Sequence, residues 1–250
     1  MSELPEIKMK KLREIVLTTI LIIFVLFALA EAIVPLLHYL GFHVGHPSVS
    51  HFGRWPLVVF YALLFGFFVL AFAFPQDRKE WRSAGLMQGF IIALYYEMYG
   101  FPLTVYVLSS YLGFNLTPSH GSGHVLAVVF TPFMNRALAE ILVMMLSNLI
   151  IISAALLVYF GWRKVYYSPD KLVTDGLYKF LRHPQYLGFL MITVALLIHW
   201  PTLITLLMWP VLLFTYVKLA KKEDQYLLEK YGKLFMDYKA KTSGFIPSFR

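Results

Sequence analysis

Residues 186–219 read YLGFLMITVALLIHWPTLITLLMWPVLLFTYVKL. No Asp, Glu, Lys or Arg occurs in this stretch before Lys218, and the apolar run is interrupted at Trp200-Pro201. Pro201 lacks the N–H that would continue a helix. The stretch therefore divides into Tyr186–Trp200 and Thr202–Leu219, two short segments that read as a tight helical hairpin. A hydrocarbon core of ~30 Å is crossed by about 20 apolar residues rising 1.5 Å each. Working outward from the hairpin, four longer apolar segments meet that length: Ile15–Leu40, Trp55–Phe74, Ala84–Leu112 and Ala139–Phe160. The expected architecture is an all-α integral membrane protein with about six transmembrane helices. The last two form the hairpin, and a cytoplasmic amphipathic helix follows at the C-terminus. The whole chain, 1–250, reads as a single membrane domain, with helices over 1–164 on the substrate side and a chemical module over 165–250.

Composition supports this reading. Of 250 residues, 59% are hydrophobic and 14% charged, and mean hydropathy is +0.66, whereas soluble domains run near 45–50% and about 25%. A soluble enzyme and a disordered, collagen-like or disulfide-stapled chain are excluded. With no cysteine there is no thiolate metal site and no cysteine nucleophile. The net charge of +8 follows from where the basic residues lie. Of the 22 Lys and Arg, 20 fall on one side of the six-span map and two, Arg54 and Arg136, on the other. Positive charge collects on the cytoplasmic side, so a multi-pass protein with both termini in the cytoplasm is expected. Its partners are the lipid bilayer, with anionic headgroups against the basic face, and not nucleic acid. Basic residues, then Ile15–Phe27 and Ala28-Leu29-Ala30, have the outline of a cleaved leader. Apolar sequence resumes at Ala32, which favours a span.

Polar residues cluster in two cytoplasmic stretches, the loop 161–186 and the tail from Lys218, and the hairpin between them brings the two together. In the loop, Pro184 suits the first turn of a helix, which sets His183 at the helix start. Free N–H groups there, with Arg182 beside them, attract an anion such as a carboxylate. Gly188 leaves room for a ligand or another helix, and Tyr178 and Tyr186 offer aromatic faces and hydroxyls. The same residues also describe an ordinary interfacial anchor. In the tail, Leu227, Leu228, Tyr231, Leu234, Phe235 and Tyr238 form an amphipathic stripe. Glu223 shares its inward face, and Glu223-Asp224 are expected at the helix start, where an acidic pair suits the dipole or binds a cation or amine. Gly244-Phe245-Ile246-Pro247 ends the helix and is placed to fold back as a lid.

Taken in order, these pieces resemble the isoprenylcysteine carboxyl methyltransferase family and its phospholipid methyltransferase relatives. The matching elements are Leu172-Val173-Thr174-x-Gly176-x-Tyr178 and Arg182-His183-Pro184-x-Tyr186-x-Gly188. After the hairpin come Glu223-Asp224-x-x-Leu227, Tyr231-Gly232-x-x-Phe235-x-x-Tyr238 and Phe245-Ile246-Pro247. The resemblance covers residues 165–250 and implies an integral membrane enzyme using S-adenosylmethionine. It implies a cofactor shell of Lys171, Leu172, Val173, Tyr178, Arg182, His183, Pro184, Gln185, Tyr186, Gly188, Glu223 and Asp224, with His183 and Glu223 at the reacting end. The family's paired glutamates stand here as Glu223-Asp224. Its basic residue four positions before the first glutamate is Leu219 here, with Lys218 and Lys222 as neighbouring substitutes for substrate recognition. The methyl acceptor is a small or lipophilic nucleophile: a carboxylate, a thiol or an amine.

Glu97, in Tyr95-Tyr96-Glu97-Met98-Tyr99-Gly100-Phe101-Pro102, is an intramembrane carboxylate and so a candidate substrate contact; a structural, Tyr-bonded role competes with it. His38, His43, His46, His51, His120, His124 and His199 all map to the outer side, without regular ligand spacing, and no metal site is assigned to them. Two rival readings follow. Sterol reductases share a similar His-Pro-x-Tyr-x-Gly segment, which would make the ligand NADPH. The outer histidines would suit a non-enzymatic transporter or metal-handling protein.

Overall fold

A computed structural model describes residues 81–100, 103–112, 124–168 and 171–247, together with scattered positions between 14 and 42. The predicted span Trp55–Phe74 and the histidines at 38, 43, 46, 51 and 120 lie outside the described residues, and Ile15–Leu40 is described only in part. The described positions from 14 to 39 are helical.

The described residues form no strand. From Trp81 on, seven α-helices follow one another among the described residues: α1 (Trp81–Tyr95), α2 (Leu103–Leu112), α3 (Val125–Phe130), α4 (Arg136–Tyr166), α5 (Pro184–His199), α6 (Leu203–Tyr231) and α7 (Lys233–Lys241). The all-helical expectation holds for these residues. The six spans are shown only in part: among the described residues two helices, α4 and α6, are long and apolar enough to cross a membrane. A third crossing exists if α1 and α2 are taken as one span bent by 64°. A π-helical turn over Tyr96–Gly100 precedes the bend, and Pro102, which cannot donate to the preceding turn, follows it.

Two helices run past their predicted ends. The hydropathy signal stops at Phe160, but α4 continues to Tyr166, with Arg163 and Lys164 in its last turn, where cations suit the helix dipole. The larger correction concerns α6. It carries on from the apolar segment to Tyr231 as one helix of 29 residues, so Glu223-Asp224 sit inside a helix and not at the start of a new one. Nothing between Leu219 and Gly232 breaks a helix, and Lys, Glu, Leu and Gln favour one. The break falls at Gly232, at φ +54, a conformation glycine adopts without steric penalty. The expected amphipathic helix is thus reduced to the nine residues of α7. Of its stripe, Phe235 is fully buried, whereas Leu228 and Leu234 are exposed.

The core lies where α1, α4, α5 and α6 meet, around Phe90, Leu94, Ala154, Val158, Ala195 and Leu212. Helix α5 packs chiefly on α4. Gly188 makes the close approach possible: a Cβ there would lie 2.9 Å from the Ala154 carbonyl oxygen and 2.5 Å from Val158 Cγ2. Ser147 on α4 donates to the Ala195 carbonyl (2.9 Å). Trp209 on α6 donates to Thr193 on α5 (3.2 Å), closing the hairpin. Thr202 and Thr205 form a capping box at the start of α6, which fixes the turn after Pro201. Leu207 (77% exposed) and Phe214 (70%) point outward from α6. Side chains of that size and polarity left bare suit lipid and not water.

Candidate functional site

The start of α5 and the C-terminal half of α6 meet at His183. Buried residues on α6 recur every four positions at Leu212, Tyr216, Ala220 and Asp224. That register turns Asp224 inward and leaves Glu223 half-exposed, one residue off the predicted assignment. The His183 imidazole is 2% exposed. Its Nε2 lies 3.0 Å from Asp224 Oδ1. Its Nδ1 faces Glu223 Oε2 across 3.4 Å, without the alignment of a hydrogen bond, and is a buried nitrogen with no hydrogen-bond partner. The rings of Tyr186 and Phe245 each lie 5.8 Å from the imidazole and tilt by about a third of a right angle against it.

Asp224 is the hub of this cluster. Arg182 reaches it with two bonds, Nη2 to Oδ2 at 2.9 Å and Nε to Oδ1 at 3.2 Å. Lys239 of α7 adds a third contact at 3.1 Å. Burial pushes the Asp224 carboxyl upward, but the hydrogen bonds from Arg182 and Lys239 and the charges of His183 and Arg182 outweigh it. The net effect holds the carboxyl below its ordinary value of 3.8. A group depressed in the fold adds stability that is fully present above its unfolded value and lost as pH falls through the folded one. Thermal stability should therefore be insensitive to this group above about pH 5 and fall in acid below the ordinary carboxylate range. Asp224→Asn should remove that part of the acid limb in a melting series against pH; an unchanged limb would count against the assignment.

The sequence sets Arg182 beside a ligand carboxylate; the structure commits it elsewhere. Besides Asp224, its guanidinium donates to the Thr242 carbonyl at the end of α7. Backbone N–H groups of the loop are likewise taken: Arg182 N–H donates to Ser243 O (2.9 Å) and His183 N–H to Gly244 O (3.2 Å). These bonds and the parallel bridge between Leu181 and Ser243 lay the tail 242–246 along the loop 181–183. The fold-back expected of Gly244–Pro247 is thus present, with Phe245 covering His183.

Tyr178 is buried, and its hydroxyl donates to the Gly161 carbonyl of α4 (3.2 Å) and accepts from Gln185. Tyr238 of α7 donates to the Tyr178 carbonyl (2.7 Å). Burial, with the nearby Glu223 charge, raises the Tyr178 phenol well above its usual range, so it stays neutral. Tyr178 and Gln185 therefore tie α4, the loop and α7 together. Pro184 is the first residue of α5, as expected, and packs at Gly161. Lys171 is exposed and Leu172 and Val173 are half-buried. Gly188 meets helix α4 and not a ligand. Lys218 and Lys222 are exposed, while Leu219 packs against the core.

Glu97 is not brought to this cluster. Its Oε2 accepts the Thr104 N–H (2.8 Å) at the start of α2, and Thr104 Oγ1 accepts the Leu203 N–H (2.8 Å) at the start of α6. It caps the bend at the far end of the hairpin, about 24 Å of α5 away from His183. Two of the histidines expected on the outer side lie within the described residues and pack together: His124 Nδ1 lies 2.8 Å from the His199 carbonyl oxygen, with the two rings edge to face at 5.1 Å. Lys239 and Thr242 complete the cluster and carry no motif signal that would have singled them out, whereas Phe245 belongs to the Phe245-Ile246-Pro247 element. Nor did the sequence reveal that Glu14 pairs with Arg163 (2.9 Å).

Helices with bare apolar flanks and one polar cluster, gathered at one end of a hairpin from two distant stretches, define a helical membrane protein with a single built chemical centre among the described residues. Residues 134–234 match the family model for phospholipid methyltransferase, and that match runs from the start of α4 through the hairpin and both carboxylates into α7. It agrees with the resemblance read from the motifs. No curated protein and no solved structure matches the chain.

Proposed function

We propose that the protein is an integral membrane methyltransferase that uses S-adenosylmethionine and methylates a small or lipophilic nucleophile on the cytoplasmic face. In this reading 165–250 binds the cofactor and the helices over 1–164 flank the acceptor. The observation that carries it is the meeting of His183 with Glu223, forty residues apart, inside a stretch that matches a methyltransferase family. Cofactor and residues are chemically matched. S-adenosylmethionine presents a sulfonium, an ammonium and an adenine, and supplies an activated methyl group. The orphaned Nδ1 of His183 and the half-exposed carboxylate of Glu223 are both acceptors, and they suit a cationic group carrying N–H donors. Tyr186 offers a face for the cation or the adenine. Four other members of the expected shell act one step back: Asp224, Arg182, Tyr178 and Gln185 hold the loop and the imidazole in place. Methyl transfer is an in-line displacement that gains from alignment and from exclusion of water, and the buried imidazole under Phe245 provides a dry edge.

Titration of detergent-solubilised protein with S-adenosylmethionine or S-adenosylhomocysteine should saturate. His183→Gln and Glu223→Ala should each weaken binding by about tenfold or more, the loss of one charge-assisted hydrogen bond at roughly 1.5–3 kcal/mol. Absence of binding to the wild type, or unchanged affinity in both variants, would sink the reading.

A further inference from the structure

One face of α4 stays bare along its whole second half. Leu149, Ser153, Leu156, Phe160, Arg163 and Tyr167 are all exposed, at spacings of three and four, and so form one ridge. The ridge is apolar up to Phe160, apart from Ser153, whose hydroxyl bonds back to the Leu149 carbonyl (2.8 Å). Beyond Phe160 it is polar. Beside the polar end lies a recess of about 220 Å³, part of it open to solvent, walled by Tyr159, Trp162, Arg163, Tyr166 and Tyr167 and by Glu14 from the N-terminal helical stretch. The rings of Trp162 and Tyr166 lie nearly parallel with centroids 4.8 Å apart, and Tyr167 stands across Tyr166 at 86°. Phe160 meets Tyr159 edge-on at 5.3 Å, so ridge and recess share a wall. Both oxygens of Glu14 are engaged: Oε1 pairs with Arg163 Nη2 (2.9 Å) and Oε2 accepts from the Tyr167 hydroxyl. Tyr159 bonds Thr18 (2.7 Å), which fixes the N-terminal stretch to α4.

A carboxylate set among ring faces suits an organic cation, and a guanidinium beside it suits a phosphate. An ordinary interfacial belt of Trp and Tyr does not bring in a carboxylate from another helix. An ammonium that carries N–H groups needs acceptors aimed at it once it leaves water. Here both Glu14 oxygens already accept, and what the recess offers is negative charge and ring faces. That matches a quaternary ammonium, which has no N–H to satisfy. A guanidinium has five N–H donors, so Arg163 can hold a phosphate without releasing Glu14. We propose that this recess binds a phospholipid whose headgroup joins a phosphate to a quaternary ammonium, with an acyl chain lying along Leu149, Leu156 and Phe160. The bound lipid is not a methyl acceptor, because a quaternary nitrogen has no lone pair with which to form a bond to carbon. The site is thus independent of the methyltransferase reading. Its occupancy still bears on the other centre: Gly161, on the buried side of the same turn, packs on Pro184 and Gln185, so a lipid that braces the end of α4 also braces the start of α5.

The test uses the full chain in detergent, offered phosphatidylcholine, phosphatidylethanolamine and phosphatidylglycerol with identical acyl chains in equal amounts, and reads the retained lipid by native mass spectrometry. Phosphatidylcholine should be retained over the other two by about 3- to 30-fold, the range of one cation–π contact from exposed to desolvated. Trp162→Ala and Glu14→Gln should each remove most of that preference, and Trp162→Phe should keep part of it. Glu14→Gln and Trp162→Phe change little in size, so they decide the matter if Trp162→Ala does not fold. Tetramethylammonium and free phosphocholine, titrated on the tryptophan emission that Trp162→Phe removes, separate headgroup from lipid and should both bind more weakly than phosphatidylcholine. Arg163→Ala should weaken phosphatidylcholine by about two- to fivefold and leave tetramethylammonium binding unchanged or tighter, since one cation no longer opposes another. Equal retention of the three lipids, or a preference that survives Trp162→Phe and Glu14→Gln undiminished, overturns the proposal. Free phosphocholine binding as tightly as the lipid overturns the assignment to a lipid. Equal weakening of both probes in Arg163→Ala overturns the phosphate contact, because the arginine then serves only to hold Glu14.

Discussion

Asp224→Ala is expected to destabilise the protein by about 3–5 kcal/mol, the usual result of removing one partner from a buried ion pair. The Asp224 side chain is 8% exposed and that of Arg182 13%. Taking the carboxylate away leaves the guanidinium and the Lys239 ammonium facing each other beside the imidazole without the acceptor they share. Arg182 also carries the Thr242 carbonyl, so α7 and the tail should loosen together with the loop. In thermal unfolding this corresponds to a drop on the order of 10 °C. Lys218→Ala and Lys222→Ala, on the exposed side of the same helix, should stay within about 0.5 kcal/mol of wild type. A loss below about 1 kcal/mol in Asp224→Ala would show that the cluster is held by something other than its charges.

Gly188→Ala should cost about 1–3 kcal/mol through overpacking, although alanine is the better helix former. The added methyl would meet Val158 Cγ2 at 2.5 Å and the Ala154 carbonyl oxygen at 2.9 Å. The valine can give way; the carbonyl belongs to the α4 backbone and moves only if the two helices part. Gly188→Val should therefore be worse than Gly188→Ala. Adding Val158→Ala to Gly188→Ala should restore some of the loss and not all of it. Full recovery in the double variant, measured by thermal unfolding in one detergent, would place the whole clash on the side chain and none on the helix crossing.

The meeting of the two polar stretches was legible because it needs only topology. A turn at Trp200-Pro201 returns the chain to the side it left, which brings His183 opposite the Glu223–Asp224 pair whatever the details. The division of labour between the two carboxylates was not legible. It depends on helical phase, and a phase counted from a false helix start at the Glu223–Asp224 pair comes out one residue wrong. The true phase is set from Leu212 and Tyr216 in the apolar half of the same helix. Hydropathy marks where a segment leaves lipid, whereas a helix ends where its hydrogen bonds are interrupted, at Gly232 and not at Leu219. The partner of Glu97 was not legible for a similar reason: composition puts it in an apolar segment, but its contact with Thr104 follows from the bend after Gly100. The role of Arg182 was hidden because its main partners, Asp224 and the Thr242 carbonyl, lie 42 and 60 positions away.

The shortness of α5 has a consequence for how this centre meets its surroundings. Sixteen residues rise about 24 Å, less than the ~30 Å of a typical hydrocarbon layer. Hydrophobic mismatch of that size is relieved by thinning of the adjacent leaflets or by drawing the helix end below the glycerol backbones. Either arrangement draws the head of α5, and with it the buried imidazole behind Tyr186 and Phe245, toward the acyl layer, so that the thickness of the host lipid sets how wet the centre is.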